Sequence, residues 1–294
     1  MGSRADLSHA EGSNGPFLTV LIPAYNEAAG LAESVRLVRD KLVTLGVAAE
    51  ILIVNDASRD ETGAIAEALA AESVGLAVST GLADGLAEST GLADGLADGL
   101  AESTELTEPV DTALVRPPSL HLPVRVVHHP LNLNIGGAFM TGVREARGEW
   151  MILIPADLAM DLDELRLYLA AAEHADVVVG VCPERSDYAR LRRVISWLNV
   201  WTIRTLFGMP LRQFNYISMY RTALLRRMPI RYWHSAFFFA EVLIRARDMG
   251  ARLVEVETSY VPRATGEATG ANWRLIRRTA RDVMDYRLRR IFGV

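Results

Sequence analysis

The sequence predicts an α/β domain: a mostly parallel sheet with helices on both faces and amphipathic helices towards its C-terminus. Three observations carry this reading. The apolar runs in LTVLIPAYNE (residues 18–27), ILIVNDASRDETG (51–63) and GEWMILIPADLAMD (148–161) each end in a polar turn, as buried strands of a parallel sheet do. The stretches between strands show helical spacing, and alternation of the two element types is the mark of this class. Half of the 294 residues are apolar, which is enough for one large core.

Taken in order, Phe17 to Pro23 form the first strand, and Asn26 and Glu27 open a helix to about Leu45 with an apolar face of Leu31, Val35, Val38 and Leu42. Residues 50–55 give the second strand, 56–60 its turn and 61–71 the second helix. For such an opening, parallel pairing with right-handed crossovers is the economical topology. Residues 122–130 (LPVRVVHHP) read as a short strand and 131–148 as a helix. Gly136 and Gly137 lack a G-x-G-x-x-G context, so tight packing is favoured over a phosphate cradle. His128 and His129 are expected to cap or pack, since no further metal ligands accompany them.

Trp150 to Pro155 read as the central strand, stopping at a turn with Asp157 and Asp161. A carboxylate just past the C-terminal end of a buried parallel strand stands where open α/β sheets bind ligands. Asp161 also suits the start of a helix over 161–174. A strand follows at 175–180, a helix at 187–207, a strand at 213–221, a helix at 235–249, a strand at 252–260 and an arginine-rich helix at 272–292.

One segment breaks the alternation. Residues 79–104 are near-copies of GLADGLAEST without an aromatic or basic residue, and glycine at that frequency weakens any helix. Residues from about 72 to 121 are therefore expected to form an acidic, mobile surface insertion, and residues 1–16 a disordered leader. The rest divides into a domain over 17–262 and a loop with a basic helix over 263–294.

Cys182 is the only cysteine, so an internal disulfide and a cysteine-rich metal site are excluded. The opening residues lack the apolar core of a signal peptide and no uncharged apolar run reaches about 20 residues, which predicts a cytoplasmic chain, peripheral at most on a membrane. Residues 181–294 hold 21 Arg against 9 Asp or Glu, a balance of +12 that leaves −17 for residues 1–180 within the net −5. An arginine-rich back half predicts an anionic partner such as phosphate or a membrane surface. Nucleic acid is disfavoured, because the arginines lie among apolar helix positions and the acidic repeat repels a polyanion. Over 187–207, Leu191, Val194, Ile195, Leu198 and Trp201 keep helical spacing beside Arg190, Arg192, Arg193 and Arg204. That pattern suits a helix lying in a membrane interface and, equally, one packed on the sheet.

LIPAYNE, IVNDASRDETG, HHPLNLNIGGAFMTGVREARGEWMILIPADL and FFFAEVLIRARDMGARLVEVETSYVPRATGEATG, in this order and spacing, resemble the family 2 glycosyltransferases of GT-A fold, and among them the polyprenol-phosphate (dolichol-phosphate) sugar synthases. The resemblance runs from Phe17 to about Trp273, apart from the repeat. It implies an inverting hexosyltransferase, of mannose or glucose type, acting from a GDP- or UDP-sugar on a polyprenyl phosphate at the cytoplasmic membrane face. The lack of an apolar run long enough for a membrane anchor allows, without requiring, a separate membrane-protein partner.

The resemblance also implies a site. Pro23, Ala24, Tyr25 and Glu27 would line the nucleoside pocket, and Val54 and Asp56 would contact base and ribose. A tyrosine ring offers a stacking face, and carboxylates accept from ring N–H and hydroxyl groups. The family's D-x-D element holds Mg2+ or Mn2+ on the diphosphate; here Pro155, Ala156 and Asp157 stand in its place, so only Asp157 carries over as a ligand. Arg263, in RATGEATG, matches a segment that closes over the phosphates, although Ala268 and Thr269 replace the family's serine and lysine. The missing cation would come from Arg185 or from Arg190 and its neighbours. Glu241 matches an acidic position expected to orient Arg263 or another cation. A phosphate acceptor, already anionic near neutral pH, needs orientation and charge neutralisation rather than a base. Two further readings remain at this point, a transferase with a soluble acceptor and a catalytically silent nucleotide-binding domain.

Overall fold

The structure, a computed structural model, describes residues 15–74, 122–182, 190–259 and 273–292, the side chains of 190–194 and 273–275 excepted. The repeat and most of the leader therefore lie outside the described residues. Pro16 belongs to the fold, its carbonyl accepting from the Glu149 N–H.

Seven strands form one sheet in the order β3-β2-β1-β4-β6-β5-β7. These are β1 (Leu18–Ala24), β2 (Ala49–Asn55), β3 (Val124–His128), β4 (Trp150–Leu153), β5 (Val177–Val181), β6 (Ser218–Arg221) and β7 (Leu253–Glu257). All neighbours are parallel except β6, which runs antiparallel to both β4 and β5. The mostly parallel sheet is as expected. β1 lies between β2 and the central β4.

Strand periodicity sorts the core into two layers. Leu21, Leu52, Val54, Met151, Leu153, Val177 and Val179 face α3 (Asn134–Glu145), α5 (Arg190–Phe207) and α7 (Phe238–Asp248), with Val283 and Tyr286 of α8 (Trp273–Phe292) joining them. The alternate residues Val20, Ile22, Ile51, Ile53, Trp150, Ile152 and Val178 face α1 (Leu31–Thr44), the helix over 62–74 (α2) and α4 (Leu165–Ala172). This is the side-chain period of two that fixes register wherever both faces are covered. Phe139 of α3 sits edge-on to Tyr220 and Phe238, with ring centroids 5.8 and 5.0 Å away.

Element ends depart from the sequence reading where side chains capture the backbone. The first helix begins at Leu31 instead of Asn26, because Asn26 takes φ 55° and bonds to the turn after β2. The strand expected over 213–221 shortens to Ser218–Arg221, with the Gln213 amide bound to both backbone groups of Cys182. α2 reaches residue 74, past the expected start of the insertion. The five-residue α6 (Thr222–Arg226) is too short for periodicity to reveal.

Candidate functional site

β1 to β4 run in one direction, so the turns at their C-terminal ends share a rim of the sheet. β1 pairs Ala24 with Asn55 of β2 and Leu21 with Leu153 of β4. Tyr25 and Asp56 are thus the first residues past paired strand ends, and Asp157 follows β4 by as many positions as Tyr25 follows Leu21. These three expected site residues come together at one edge.

The turns after β1, β2 and β4 and the first residue of α3 each hold a non-glycine residue at positive φ: Asn26 (55°), Ala57 (61°), Leu158 (47°) and Asn134 (62°). Asparagine tolerates this region, whereas alanine and leucine adopt it at a cost of about 1–2 kcal/mol each. Hydrogen bonds hold the turns in place. Asn26 N–H donates to Ser58 Oγ at 3.0 Å, Arg59 N–H to Asn26 Oδ1 at 2.9 Å and Glu27 N–H to Thr62 Oγ1 at 2.8 Å. Asp60 accepts from Ala28 N–H through one oxygen and from the Thr62 hydroxyl and N–H through the other, and the Thr62 bond holds its carboxyl below the usual carboxylate range. The turn bearing Asp157 is fixed from α1, where the buried Ser34 hydroxyl donates to the Ala156 carbonyl.

Tyr25 is exposed, while Pro23, Glu27, Pro155 and Asp157 are partly exposed. Asp157 Oδ1 accepts from Ala159 N–H at 3.3 Å. Asp56 is almost wholly buried; its Oδ1 accepts from Leu133 N–H at 2.8 Å and lies 2.7 Å from His129 Nδ1. Val54 has no exposed surface and packs in the layer against α3, one pleat below the rim, so its side chain supports the turn. Ala24 and Ala156 likewise pack into the layer against α1. Arg263 and Arg185 lie outside the described residues, as does the side chain of Arg190.

Glu241 is fully buried and accepts from Arg231 N–H, Tyr232 N–H and Arg245 Nε. Among the described residues its cation is Arg245, one turn along α7. Asp161 caps the short 3-10 helix Leu162–Glu164 by accepting from Asp163 N–H. His128 Nδ1 lies 2.9 Å from Asn55 Nδ2 and its Nε2 2.7 Å from Glu67. Both histidines thus hold turns together. Gly136 allows α3 to pack against the loop before α7, since a Cβ there would lie 1.6 Å from the Trp233 carbonyl oxygen.

Ser34 and the partners of His129 escaped the sequence reading. Ser34 had a signal: it is the one polar residue on the buried stripe of α1 beside Leu31, Val35, Val38 and Leu42. Thr141 and Arg144 had none. Among the described residues no three His, Cys, Asp or Glu side chains gather as a protein-built metal centre requires. With Asp157 as the expected protein ligand, the rim suits an ion held mainly by diphosphate and water.

α5 packs Ile203 and Phe207 inward, yet Trp197, Leu198 and Trp201 are 65%, 50% and 52% exposed, the two indoles being stacked 6.4 Å apart. A groove of about 540 Å³ runs beside them, bordered also by Arg204, Met209 and Arg212. α8, in ring contact with α5 through Tyr286 and Phe207, exposes Met284, Leu288, Ile291 and Phe292 at helical spacing. Among the described residues no helix is long and apolar enough to cross a membrane.

The sequence profile described as Glycosyl transferase family 2 matches residues 19–90 and 102–245. The undecaprenyl-phosphate 4-deoxy-4-formamido-L-arabinose transferase of Pseudomonas aeruginosa (strain LESB58) is 27% identical over 263 residues, 88% of this chain and 62% of that protein. This chain thus spans less than two thirds of that relative's length. The undecaprenyl-phosphate mannosyltransferase of Micrococcus luteus is 25% identical over 258 residues, 84% of this chain and 85% of the relative. Glucosyl-3-phosphoglycerate synthase from Mycobacterium tuberculosis, solved with Mn2+, UDP and glucosyl-3-phosphoglycerate, shares the fold at a TM-score of 0.57 and 15% identity, over 95% of this chain and 81% of that one.

Proposed function

The chain belongs to glycosyl transferase family 2, and on that premise we propose that it transfers a hexose, of mannose or glucose type, from a GDP- or UDP-sugar to a polyprenyl phosphate at the cytoplasmic face of a membrane. The observation that carries this reading is the shared rim of β1, β2 and β4, where an exposed tyrosine and two carboxylates stand on turns held by hydrogen bonds. Tyr25 offers its ring to the base, Asp56 a fixed acceptor to the nucleoside, and Asp157 lies on the side of the diphosphate. Pro23 and Glu27 border the nucleoside, and Pro155 borders the diphosphate.

The acceptor is assigned from the two similar transferases, both named for undecaprenyl phosphate. A phosphate oxygen attacks the anomeric carbon from the face opposite the nucleoside diphosphate. The new C–O bond forms as the bond to the diphosphate breaks, inverting that carbon. No proton needs to be removed from a phosphate monoester dianion, so the protein's task is alignment and charge neutralisation, assigned to Arg263 with Arg185 or Arg190. When bound, Mg2+ or Mn2+ would be held by Asp157 and would offset charge on the leaving diphosphate.

The outward apolar stripes of α5 and α8, set among arginines, support peripheral contact with an anionic membrane. The test is transfer of radiolabelled sugar into organic-soluble lipid from polyprenyl phosphate and each common nucleotide sugar. Label in the lipid fraction, lost in Asp157→Asn, is the expected result. Absence of transfer from every donor, or transfer only to water-soluble acceptors, would contradict the assignment.

A further inference from the structure

The nearly buried Asp56 is the terminus of a chain of four side chains drawn from three segments of the fold. Arg144 Nη2, on α3, donates to Thr141 Oγ1 at 2.8 Å. Thr141 Oγ1 lies 2.9 Å from His129 Nε2, and His129 Nδ1 lies 2.7 Å from Asp56 Oδ1. The His129 and Asp56 side chains are 6% and 5% exposed, and Thr141 is 2% exposed. A carboxylate only accepts, so the proton of the imidazole belongs on Nδ1. In that tautomer Nε2 accepts a hydrogen bond from the Thr141 hydroxyl, and that hydroxyl oxygen accepts from the Arg144 guanidinium. With the ring in that tautomer every donor in the chain points toward Asp56.

The main chain fixes the same two residues. Asp56 N–H donates to Ala24 O and His129 N–H to Asn55 O, each at 2.9 Å. Leu133 N–H supplies the second donor to Asp56 Oδ1. With Oδ1 holding two donors, the carboxylate plane is set and Oδ2 is the oxygen left for a ligand. A buried carboxylate with a single loose partner would swing or take up a proton.

We propose that His129 is a positioning residue for nucleotide recognition: through Nδ1 it aims Asp56 at an N–H or O–H of the donor's nucleoside, and Thr141 with Arg144 holds its ring in that tautomer. This rests on the nucleotide-sugar reading of the rim. His129 touches no reacting atom, so its signature falls on donor binding and leaves the transfer step alone.

Two substitutions separate the ring nitrogens. His129→Asn places an amide N–H near Nδ1 and keeps the bond to Asp56; His129→Gln reaches toward Nε2 and loses it. UDP and GDP are titrated calorimetrically into the wild type and both variants, thermal midpoints are recorded, and kcat and KM are measured with the matching nucleotide sugar. The Gln variant is expected to raise Kd and donor KM about tenfold with kcat within about twofold, and the Asn variant to stay within about threefold of wild type in Kd. Thr141→Val, which deletes only the hydroxyl, is expected to weaken binding about threefold and serves if the Gln variant does not fold. Unchanged Kd in the Gln variant, or equal losses in Asn and Gln that track their thermal midpoints, would overturn the positioning role alone. Failure of the wild type to bind either nucleotide would overturn the reading of the rim and this role with it.

Discussion

The Ser34 hydroxyl donates to the Ala156 carbonyl over 2.5 Å, joining residues 122 positions apart. This buried bond ties α1 to the turn that carries Asp157. Ser34→Ala removes the donor and leaves a buried carbonyl unpaired, at a cost of about 1–2 kcal/mol. Transfer activity should fall further than the loss of stability explains, because the turn is freed just where Asp157 stands. A denaturant midpoint and a lipid-transfer rate on the same preparation check both. An activity that stays at the wild-type value would separate Ser34 from the site.

At the opposite end of the strands, Glu50 is buried and accepts from Thr19 Oγ1 at 2.7 Å, Arg125 Nε at 2.9 Å and Arg147 N–H at 2.6 Å. It links β1, β2, β3 and the approach to β4. Glu50→Leu leaves these donors without their acceptor, and Arg125 is only partly exposed. Urea unfolding should show a loss of about 2–4 kcal/mol. A loss below about 1 kcal/mol would mean that water replaces the carboxylate readily.

α8 docks through Tyr232, whose hydroxyl donates to Asp285 and whose pKa is pushed up to about 12 by burial first and by that bond second. A phenol held neutral in the fold contributes its full stability below the unfolded value of about 10 and loses it as pH rises toward the folded one. Asp285 is shifted down, first by Tyr232 and then by Arg289, so its contribution is present above the ordinary carboxylate range and fades as pH falls below it. Urea midpoints followed by circular dichroism should show a smaller decline between about pH 10 and 12 in Tyr232→Phe than in the wild type. Parallel curves would remove Tyr232 from the pH dependence.

Trp197 and Trp201 present their rings outward while Ile203 and Phe207 hold α5 to the core. Changing both tryptophans to alanine should leave the thermal midpoint nearly unchanged and reduce co-flotation with anionic vesicles about tenfold or more. Binding should also weaken as salt rises. Flotation indifferent to both the substitutions and the salt would exclude this face as the membrane contact.

The strands and both helical layers were legible in the sequence, because burial on two faces leaves apolar runs, as in β2, and packing on one leaves a stripe, as in α1. The antiparallel β6 was not legible as such: Ser218–Arg221 is read only as a strand, and its direction depends on the route through α5. At the rim, motif order pointed to Tyr25, Asp56 and Asp157, whose turns the register brings to one edge. It did not show that Val54 is buried against α3, since a motif position does not say which way a strand residue faces. It could not give His129 its partners, because Thr141 reaches the ring only once α3 has packed on the sheet.

The central claim is that this rim holds the nucleotide. It is tested most directly by calorimetric titration of UDP and GDP into the wild type, Tyr25→Ala and Trp201→Ala. Tyr25 is 43% exposed, so its loss should spare the fold. One nucleotide is expected to bind the wild type, to lose about 1–3 kcal/mol of binding free energy in Tyr25→Ala, and to bind Trp201→Ala unchanged. Binding indifferent to Tyr25 and lost with Trp201 would place the ligand in the groove of α5 and contradict the account.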